Sequence, residues 1–514
     1  MVVLHEKLYT VSREILYATC IGYGLWTIDH GLLTKLIFLL VDFFIFAFPK
    51  IEFVALIKSI SGIRGTIGGR PGEGLSPLDV VKFTAAYGTW LTNQYPDNKK
   101  VVIGRDGRIS GEMVKNLVVS TLNGLGLDVI DLGLSTTPTV EIAVKMEKAA
   151  GGIIITASHN PKEWNALKLL NSDGEFISGA DGNALLDIAE REDFTFADVN
   201  KLGTYHQDDS YLQKHIDLVV NYPLVDVAAI RERDFKVVVD AVNSTGAIFI
   251  PALLKALGVN QVEVLFGEVN GRFSHNPEPL PENLSALSNE VNRSNADLGI
   301  AVDPDVDRLC FVCEDGSMFG EEYTLVAVAD YILGKRKGNT VSNLSSTQAL
   351  KDITLKNGGE YYPSAVGEVN VVKKMKEVNA VIGGEGNGGI IVPDLHYGRD
   401  ALIGIGLFLS HMAHSKKNIK NLRNSYPDYF ISKNKIELDK GVNVKDIFEK
   451  IQGKYKNQPT NTEDGLKIEF EKDWVHLRTS NTEPIIRIYA ESQFETTADN
   501  IARRIMQDIK EFMH

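Results

Sequence analysis

Short apolar runs alternate along most of the chain with stretches whose apolar positions recur every three to four residues, the spacing of a helix that buries one face. VVIG (101–104), LDVIDLG (127–133) and GGIIITAS (151–158) have the length and continuity of buried strands. Between the first two, GEMVKNLVVSTLNGLG (111–126) has helical spacing and ends on glycine, as many helices do. This alternation predicts a largely parallel sheet with helices on both faces. The rhythm returns in FKVVVDAVNSTGA (235–247), EVLFGE (263–268) and LGIAVDPD (298–305). It returns again in a helix around 323–332, then AVIGGEGNGG (380–389) and RDALIGIGLFLSHMA (399–413). The pattern predicts three similar α/β domains with mixed or parallel sheets. The tail differs: GLKIEF (465–470), WVHLRTS (474–480) and IIRIYAES (485–492) are closely spaced strands ahead of a last helix, a small α+β domain. Polar linkers place the expected domains at 55–200, 201–315, 316–430 and 431–514.

Residues 1–54 break this pattern. The run GLLTKLIFLLVDFFIFAFP (31–49) is strongly apolar but carries Lys35 and Asp42, and a charge inside a membrane span is costly. No small-residue cleavage site follows it. Three readings are open: a true start near Val54, a membrane anchor, or a helical extension packed on the body or on a partner. The abrupt onset of globular patterning at Ala55 favours the first. Membrane contact is expected only if 31–49 is an anchor.

The 514 residues exceed what one hydrophobic core serves. With 44% hydrophobic and 24% charged residues, the composition is that of a globular protein and excludes disorder on compositional grounds. A net charge of −13 argues against nucleic acid as a partner, though it leaves room for a basic pocket around a small anion. Three cysteines, Cys20, Cys310 and Cys313, fit a reducing cytoplasm rather than a disulfide framework. Cys310 and Cys313 form a CxxC, but inside the apolar run LCFVC and without a second Cys/His pair they read as a buried strand.

Four loops carry residues suited to chemistry. Thr156-Ala157-Ser158-His159-Asn160-Pro161 follows an apolar strand, so Ser158 should stand at the carboxyl end of a sheet strand, where open α/β folds bind ligands. His159 and Asn160 can donate hydrogen bonds to an anion, and Lys168 offers a point charge or a proton-transfer group. In Asp303-Pro304-Asp305-Val306-Asp307-Arg308, three carboxylates at a spacing of two can converge on one hard cation such as Mg²⁺. Without a cation they would raise one another's pKa. Gly383-Gly384-Glu385-Gly386-Asn387-Gly388-Gly389 lets backbone approach a ligand closely, with Glu385 and Asn387 able to bind sugar hydroxyls. Arg478-Thr479-Ser480-Asn481-Thr482-Glu483-Pro484, with Arg487 beyond, has the donors of a phosphate cradle.

With these loops in this order, residues 56–514 resemble the α-D-phosphohexomutase superfamily, which includes phosphoglucomutase, phosphomannomutase and phosphoglucosamine mutase. TASHNP, the Asp-x-Asp-x-Asp-Arg loop, RTSNTEP and SGIRG (61–65) carry the resemblance. It implies four domains around a central cleft and a mutase working through a phosphorylated Ser158 and a sugar 1,6-bisphosphate. Asp303, Asp305 and Asp307 would hold Mg²⁺ with the phosphoserine. Arg308 and Lys168 would assist transfer, and Lys168, His159 and Arg64 are the candidates for acid and base. Glu385 and Asn387 would grip the sugar, while Arg478, Ser480, Asn481, Thr482 and Arg487 would hold the non-reacting phosphate. Pro304 and Val306 replace glycines common in the family's metal loop, and Asn387 and Gly389 stand where many bacterial members have serine and histidine. The GEGNGG form is similar to an archaeal-type phosphoglucosamine mutase subgroup, which implies interconversion of glucosamine 6-phosphate and glucosamine 1-phosphate. Phosphomannomutase or phosphoglucomutase activity is the alternative. A phosphoserine-dependent phosphatase or a non-catalytic sugar-phosphate binder fits less well, since neither needs all four loops.

Overall fold

The computed structural model describes residues 55–59, 62–438, 442–479 and 485–513. The run 31–49, Cys20, and Ser480, Asn481 and Thr482 lie outside the described residues. No helix among the described residues is long and apolar enough to cross a membrane.

The first sheet contains β1 (Leu56–Ser59), β2 (Gly62–Thr66), β3 (Lys100–Arg105), β4 (Asp128–Leu134), β5 (Gly151–Ile155), β6 (Trp164–Leu170) and β7 (Tyr205–Gln207), ordered β1-β2-β6-β5-β3-β4-β7. Strands β5, β3, β4 and β7 run parallel, whereas β6 returns antiparallel to β5. The second sheet has β8 (Lys236–Asp240), β9 (Gln261–Leu265), β10 (Leu298–Val302) and β11 (Leu309–Cys313), ordered β11-β10-β8-β9. The third has β12 (Asn339–Asn343), β13 (Tyr361–Ser364), β14 (Ala380–Glu385) and β15 (Gly389–Ile391), ordered β13-β12-β14-β15. Each of these sheets places a parallel trio beside one antiparallel strand: β4-β3-β5 with β6, β9-β8-β10 with β11, and β13-β12-β14 with β15.

That repeated order gives the first three loops one common address. TASHNP links β5 to β6, the aspartate loop links β10 to β11, and the glycine loop links β14 to β15. Each lies where the chain leaves the carboxyl end of a parallel strand and turns back, so packing the sheets brings the loops together. The fourth sheet is antiparallel throughout: β16 (Phe430–Glu437), β17 (Thr460–Asn461), β18 (Leu466–Glu469), β19 (Trp474–Thr479) and β20 (Ile485–Ser492), ordered β16-β20-β19-β18-β17. Helix Glu495–Met513 buries Ile501, Ala502, Ile505 and Ile509 against it.

The second and third sheets share one continuous core. Helix Ala401–Ser415 is apolar on nearly every face, so it cannot serve a single sheet and instead packs among residues of both. Cys310 and Cys313 are free thiols buried on β11, as the apolar run predicts.

Candidate active site

Ser158 stands three residues past β5 with φ at +48°, a left-handed backbone that non-glycine residues seldom adopt. The turn is held from both ends. Ser158 N donates to Thr156 Oγ1 at 2.9 Å, and Thr156 Oγ1 donates to Asp106 Oδ2 at 2.7 Å. Arg108 does the rest. Its Nε pairs with Asp106 Oδ2 at 3.0 Å, Nη1 donates to the carbonyls of Pro161 (2.7 Å) and Trp164 (2.9 Å), and Nη2 donates to those of Ser158 (2.5 Å) and Asn160 (2.7 Å). All five guanidinium N–H groups are thus used, four on carbonyls of the loop and its exit and one on Asp106. Strain of roughly 1–3 kcal/mol at a left-handed residue persists only where the surroundings over-determine it, and here they do.

The fixed turn aims Ser158 Oγ at the aspartate loop, where it donates to Asp303 Oδ2 at 2.6 Å. Asp303, Asp305 and Asp307 are fully buried, and one oxygen from each lies within 4.8 Å of the others. Asp303 Oδ1 accepts from the backbone N–H groups of Asp307 and Arg308, both at 3.1 Å, which curls the loop. Asp305 Oδ2 accepts from Thr137 Oγ1 and Lys168 Nζ, each at 2.6 Å. Asp307 Oδ2 accepts from Lys168 Nζ at 3.2 Å and from Arg399 Nη2 at 2.8 Å. The remaining oxygens, Asp305 Oδ1 and Asp307 Oδ1, are buried without a hydrogen-bond partner. Orphaned carboxylate oxygens are expensive unless a cation completes them, so the donor set fits a hard divalent ion.

The rise in pKa expected of clustered carboxylates holds at Asp303 and fails at Asp305. Burial, then repulsion from Asp305 and Asp307, pushes Asp303 well above the usual carboxylate range. Burial opposes charge on Asp305 as well, but Lys168 outweighs it and the pKa falls. Burial likewise opposes charge on Lys168, and Asp305 and Asp307 overcome it and raise its pKa. Lys168 lies on β6, in register with Ile154 of β5. Burial, then the charges of Arg308 and Arg64, holds His159 well below the ordinary imidazole value, with its Nδ1 at 3.4 Å from Ser158 Oγ. Arg64 Nη1 donates to Asn160 Oδ1 at 2.7 Å, and Arg308 Nη1 meets Glu278 Oε1 at 2.9 Å.

The glycine loop reaches the same place from the third sheet. Glu385 Oε1 accepts from Asn343 Nδ2 at 2.9 Å and from Gly367 N at 3.1 Å, and Oε2 meets Arg399 Nη1 at 3.1 Å. Asn387 Oδ1 accepts from Gly389 N at 3.2 Å. The loop's glycines are packed closely against protein. A Cβ on Gly388, whose φ is +87°, would lie 2.3 Å from the Leu309 carbonyl oxygen, and one on Gly389 would lie 2.3 Å from Arg399 Cδ. In the fourth sheet Arg478 and Arg487 are register partners on β19 and β20, and Arg478 Nε lies 2.7 Å from Asp464 Oδ2.

Sequence reasoning missed Arg108, Arg399 and a buried relay behind the site. His396 lies between Glu141 and Asp400, 3.3 Å from an oxygen of each, and Asp400 Oδ2 also meets His215 Nε2 at 2.9 Å. The signals were present as charged residues set against apolar segments, Arg105-Asp106 and Arg108 just after VVIG and Arg399-Asp400 just before an apolar helix.

Four family models cover the described body in order. Residues 56–196, 213–316 and 320–429 match phosphoglucomutase/phosphomannomutase α/β/α domains I, II and III, and residues 435–508 match the C-terminal domain. A protein of Thermococcus kodakarensis named phosphoglucomutase/phosphomannomutase is 37% identical over 85% of this chain and 94% of its own length. A phosphoglucosamine/phosphogalactosamine mutase of Sulfurisphaera tokodaii is 31% identical over 87% of this chain and 98% of its own. Among solved structures, a phosphoglucomutase/phosphomannomutase family protein of Burkholderia thailandensis superposes with a TM-score of 0.75 at 26% identity, covering 89% of this chain and 98% of that one.

Proposed function

The chain belongs to the phosphoglucomutase/phosphomannomutase family of α-D-phosphohexomutases, and we propose that it interconverts glucosamine 6-phosphate and glucosamine 1-phosphate through a phosphorylated Ser158. Membership makes it an isomerase that moves a phosphoryl group within a sugar phosphate. The observation that carries the reading is the 2.6 Å bond from Ser158 Oγ to Asp303, between a strained loop and a carboxylate cluster short of positive charge.

Phosphoryl transfer depends on positioning and charge neutralisation more than on covalent finesse. A Mg²⁺ ion held by one oxygen each of Asp303, Asp305 and Asp307 together with the seryl phosphate would neutralise charge on the transferring group. Arg108 keeps Ser158 in its turn. Arg308, Arg64 and Lys168 supply positive charge around the phosphoryl oxygens. His159, whose pKa is pushed down by burial and then by its arginine neighbours, can accept a hydrogen bond from the attacking hydroxyl. The phosphorus–oxygen bond to Ser158 breaks as that to the sugar hydroxyl forms, giving a sugar 1,6-bisphosphate. After reorientation, its other phosphate returns to Ser158. Glu385 and Asn387 would bind the sugar, and Arg478, Ser480, Asn481, Thr482 and Arg487 the phosphate at rest.

Four domains frame this cycle in our reading, with boundaries near residues 315 and 430 and the first one moved past Gln207, because β7 completes the first sheet. The sparse cysteines support a cytoplasmic enzyme. Glucosamine is favoured by the GEGNGG loop and by relatives such as that of Sulfurisphaera tokodaii. The Thermococcus kodakarensis relative supports a second reading, phosphoglucomutase or phosphomannomutase. ³¹P NMR of glucosamine 6-phosphate, mannose 6-phosphate and glucose 6-phosphate with Mg²⁺ and a trace of sugar bisphosphate decides. A 1-phosphate signal growing fastest from glucosamine 6-phosphate supports the proposal, and faster growth from either other sugar replaces it with the second reading.

A further inference from the structure

Arg399 is the only cation among the described residues whose ion pairs reach carboxylates of both the aspartate loop and the glycine loop. Its nitrogens divide between three buried acids: Nη2 meets Asp307 Oδ2 at 2.8 Å, Nη1 meets Glu385 Oε2 at 3.1 Å, and Nε meets Glu368 Oε2 at 2.8 Å. Glu368 opens helix Glu368–Glu377, so one planar group ties together three separate segments. The bond to Asp307 Oδ2 leaves Oδ1 as the buried oxygen without a partner. Arg399, with Lys168 on the same oxygen at 3.2 Å, thereby decides which oxygen of Asp307 is offered to a cation, as groups behind metal ligands commonly do. At the same time it fixes Glu385, whose other oxygen is already held by Asn343 and the backbone of Gly367.

The room for this arginine comes from Gly389. A Cβ there would lie 2.3 Å from Arg399 Cδ and 2.9 Å from its Cγ, so any larger residue would displace the stem. Residue 389 is therefore matched to residue 399 across the loop.

We propose that Arg399 is a positioning residue that couples the metal site to the sugar site, holding Asp307 and Glu385 in their binding orientations together, with Gly389 as the space that admits it. The coupling rests on the metal and sugar roles proposed above. Because both loops share one guanidinium, a ligand that orders either loop strengthens binding at the other, and the effect is reciprocal.

The test uses full-length wild-type protein and the variants Arg399→Lys, Gly389→Ala, their double mutant and Asp305→Asn, with folding checked by circular dichroism and thermal unfolding. Mn²⁺ affinity is measured by electron paramagnetic resonance with and without glucosamine 6-phosphate. Lysine keeps the charge but loses the three-way fork, and alanine keeps the arginine but displaces it. Both single variants should weaken Mn²⁺ about tenfold or more and abolish its tightening by the sugar phosphate. The double mutant should lose no more than either single, since both act through one contact. Wild-type affinity and sugar dependence in a folded Arg399→Lys or Gly389→Ala, or additive losses in the double, would overturn the proposal while Asp305→Asn still loses Mn²⁺. If Asp305→Asn binds Mn²⁺ like wild type, the metal reading itself fails and the coupling falls with it.

Discussion

Val306 puts two residue-level effects in competition. Its φ is +60°, a conformation that costs an L-residue roughly 1–2 kcal/mol and a β-branched one at least as much. Its side chain is nonetheless fully buried in the core shared by the second and third sheets. Removing a buried aliphatic side chain forfeits about 2–4 kcal/mol of transfer and cavity energy, so burial wins. Val306→Gly should therefore lower stability by about 1–3 kcal/mol in urea unfolding despite relieving the backbone; an unchanged or raised midpoint would show that the strain outweighs the burial. Ser158→Ala removes the only oxygen proposed to carry the phosphoryl group but leaves the Arg108 clamp, which grips backbone carbonyls. It should unfold like wild type and turn over no sugar phosphate in the NMR assay. At this scale the sequence made legible residue types at a fixed local spacing, Ser158 and Asp303, Asp305 and Asp307, which the fold brings together. It was silent where a residue acts through contacts made only by folding. Arg108 reaches some fifty residues ahead for its carbonyls, and Arg399 reaches back ninety-two to Asp307.

Among the elements, apolar runs such as VVIG and LGIAV announced their strands because both faces of a parallel sheet are covered and need continuous hydrophobicity. Strand β6 was not read. Its sequence WNALKLL carries a lysine in the middle, and no periodicity predicts a buried Lys168 whose charge is held by Asp305 and Asp307. The TASHNP loop is an element in its own right, held by Arg108 from outside as well as by its own hydrogen bonds. Arg108→Lys would keep one charge and lose the fork to four carbonyls, and a misplacement near 1 Å at a reacting atom is worth about 10²-fold in rate. The expected outcome is a kcat lower by about one to two orders of magnitude with a smaller change in KM. A proportionate rise in KM at unchanged kcat would mean that the clamp serves binding and not the aim of Ser158.

At the scale of the whole molecule, three sheets built to one plan bring three loops to one point, and a buried relay locks the segments behind them. His396, between Glu141 and Asp400, is pushed up to about 10 against an ordinary 6.5; burial opposes its charge, and the two carboxylates overcome that. Burial raises Glu141 to about 8 from 4.5. Both groups bind protons more tightly folded than unfolded, so both contribute stability at low pH that is lost as pH rises. The part due to His396 is fully present below about pH 6.5 and gone above about pH 10. The thermal midpoint should thus fall between about pH 7 and pH 10, and His396→Gln should flatten that slope; an equally steep fall in the variant would place the titration elsewhere. The central claim, that Ser158 carries the phosphoryl group on its way between sugar positions, is tested most directly by loading the protein with glucose 1,6-bisphosphate, locating the bound phosphate by peptide mass spectrometry, and then adding glucosamine 6-phosphate. The account predicts phosphate on Ser158 that discharges onto the sugar, giving a bisphosphate. Phosphate on another residue, or its release from Ser158 to water alone, would contradict it.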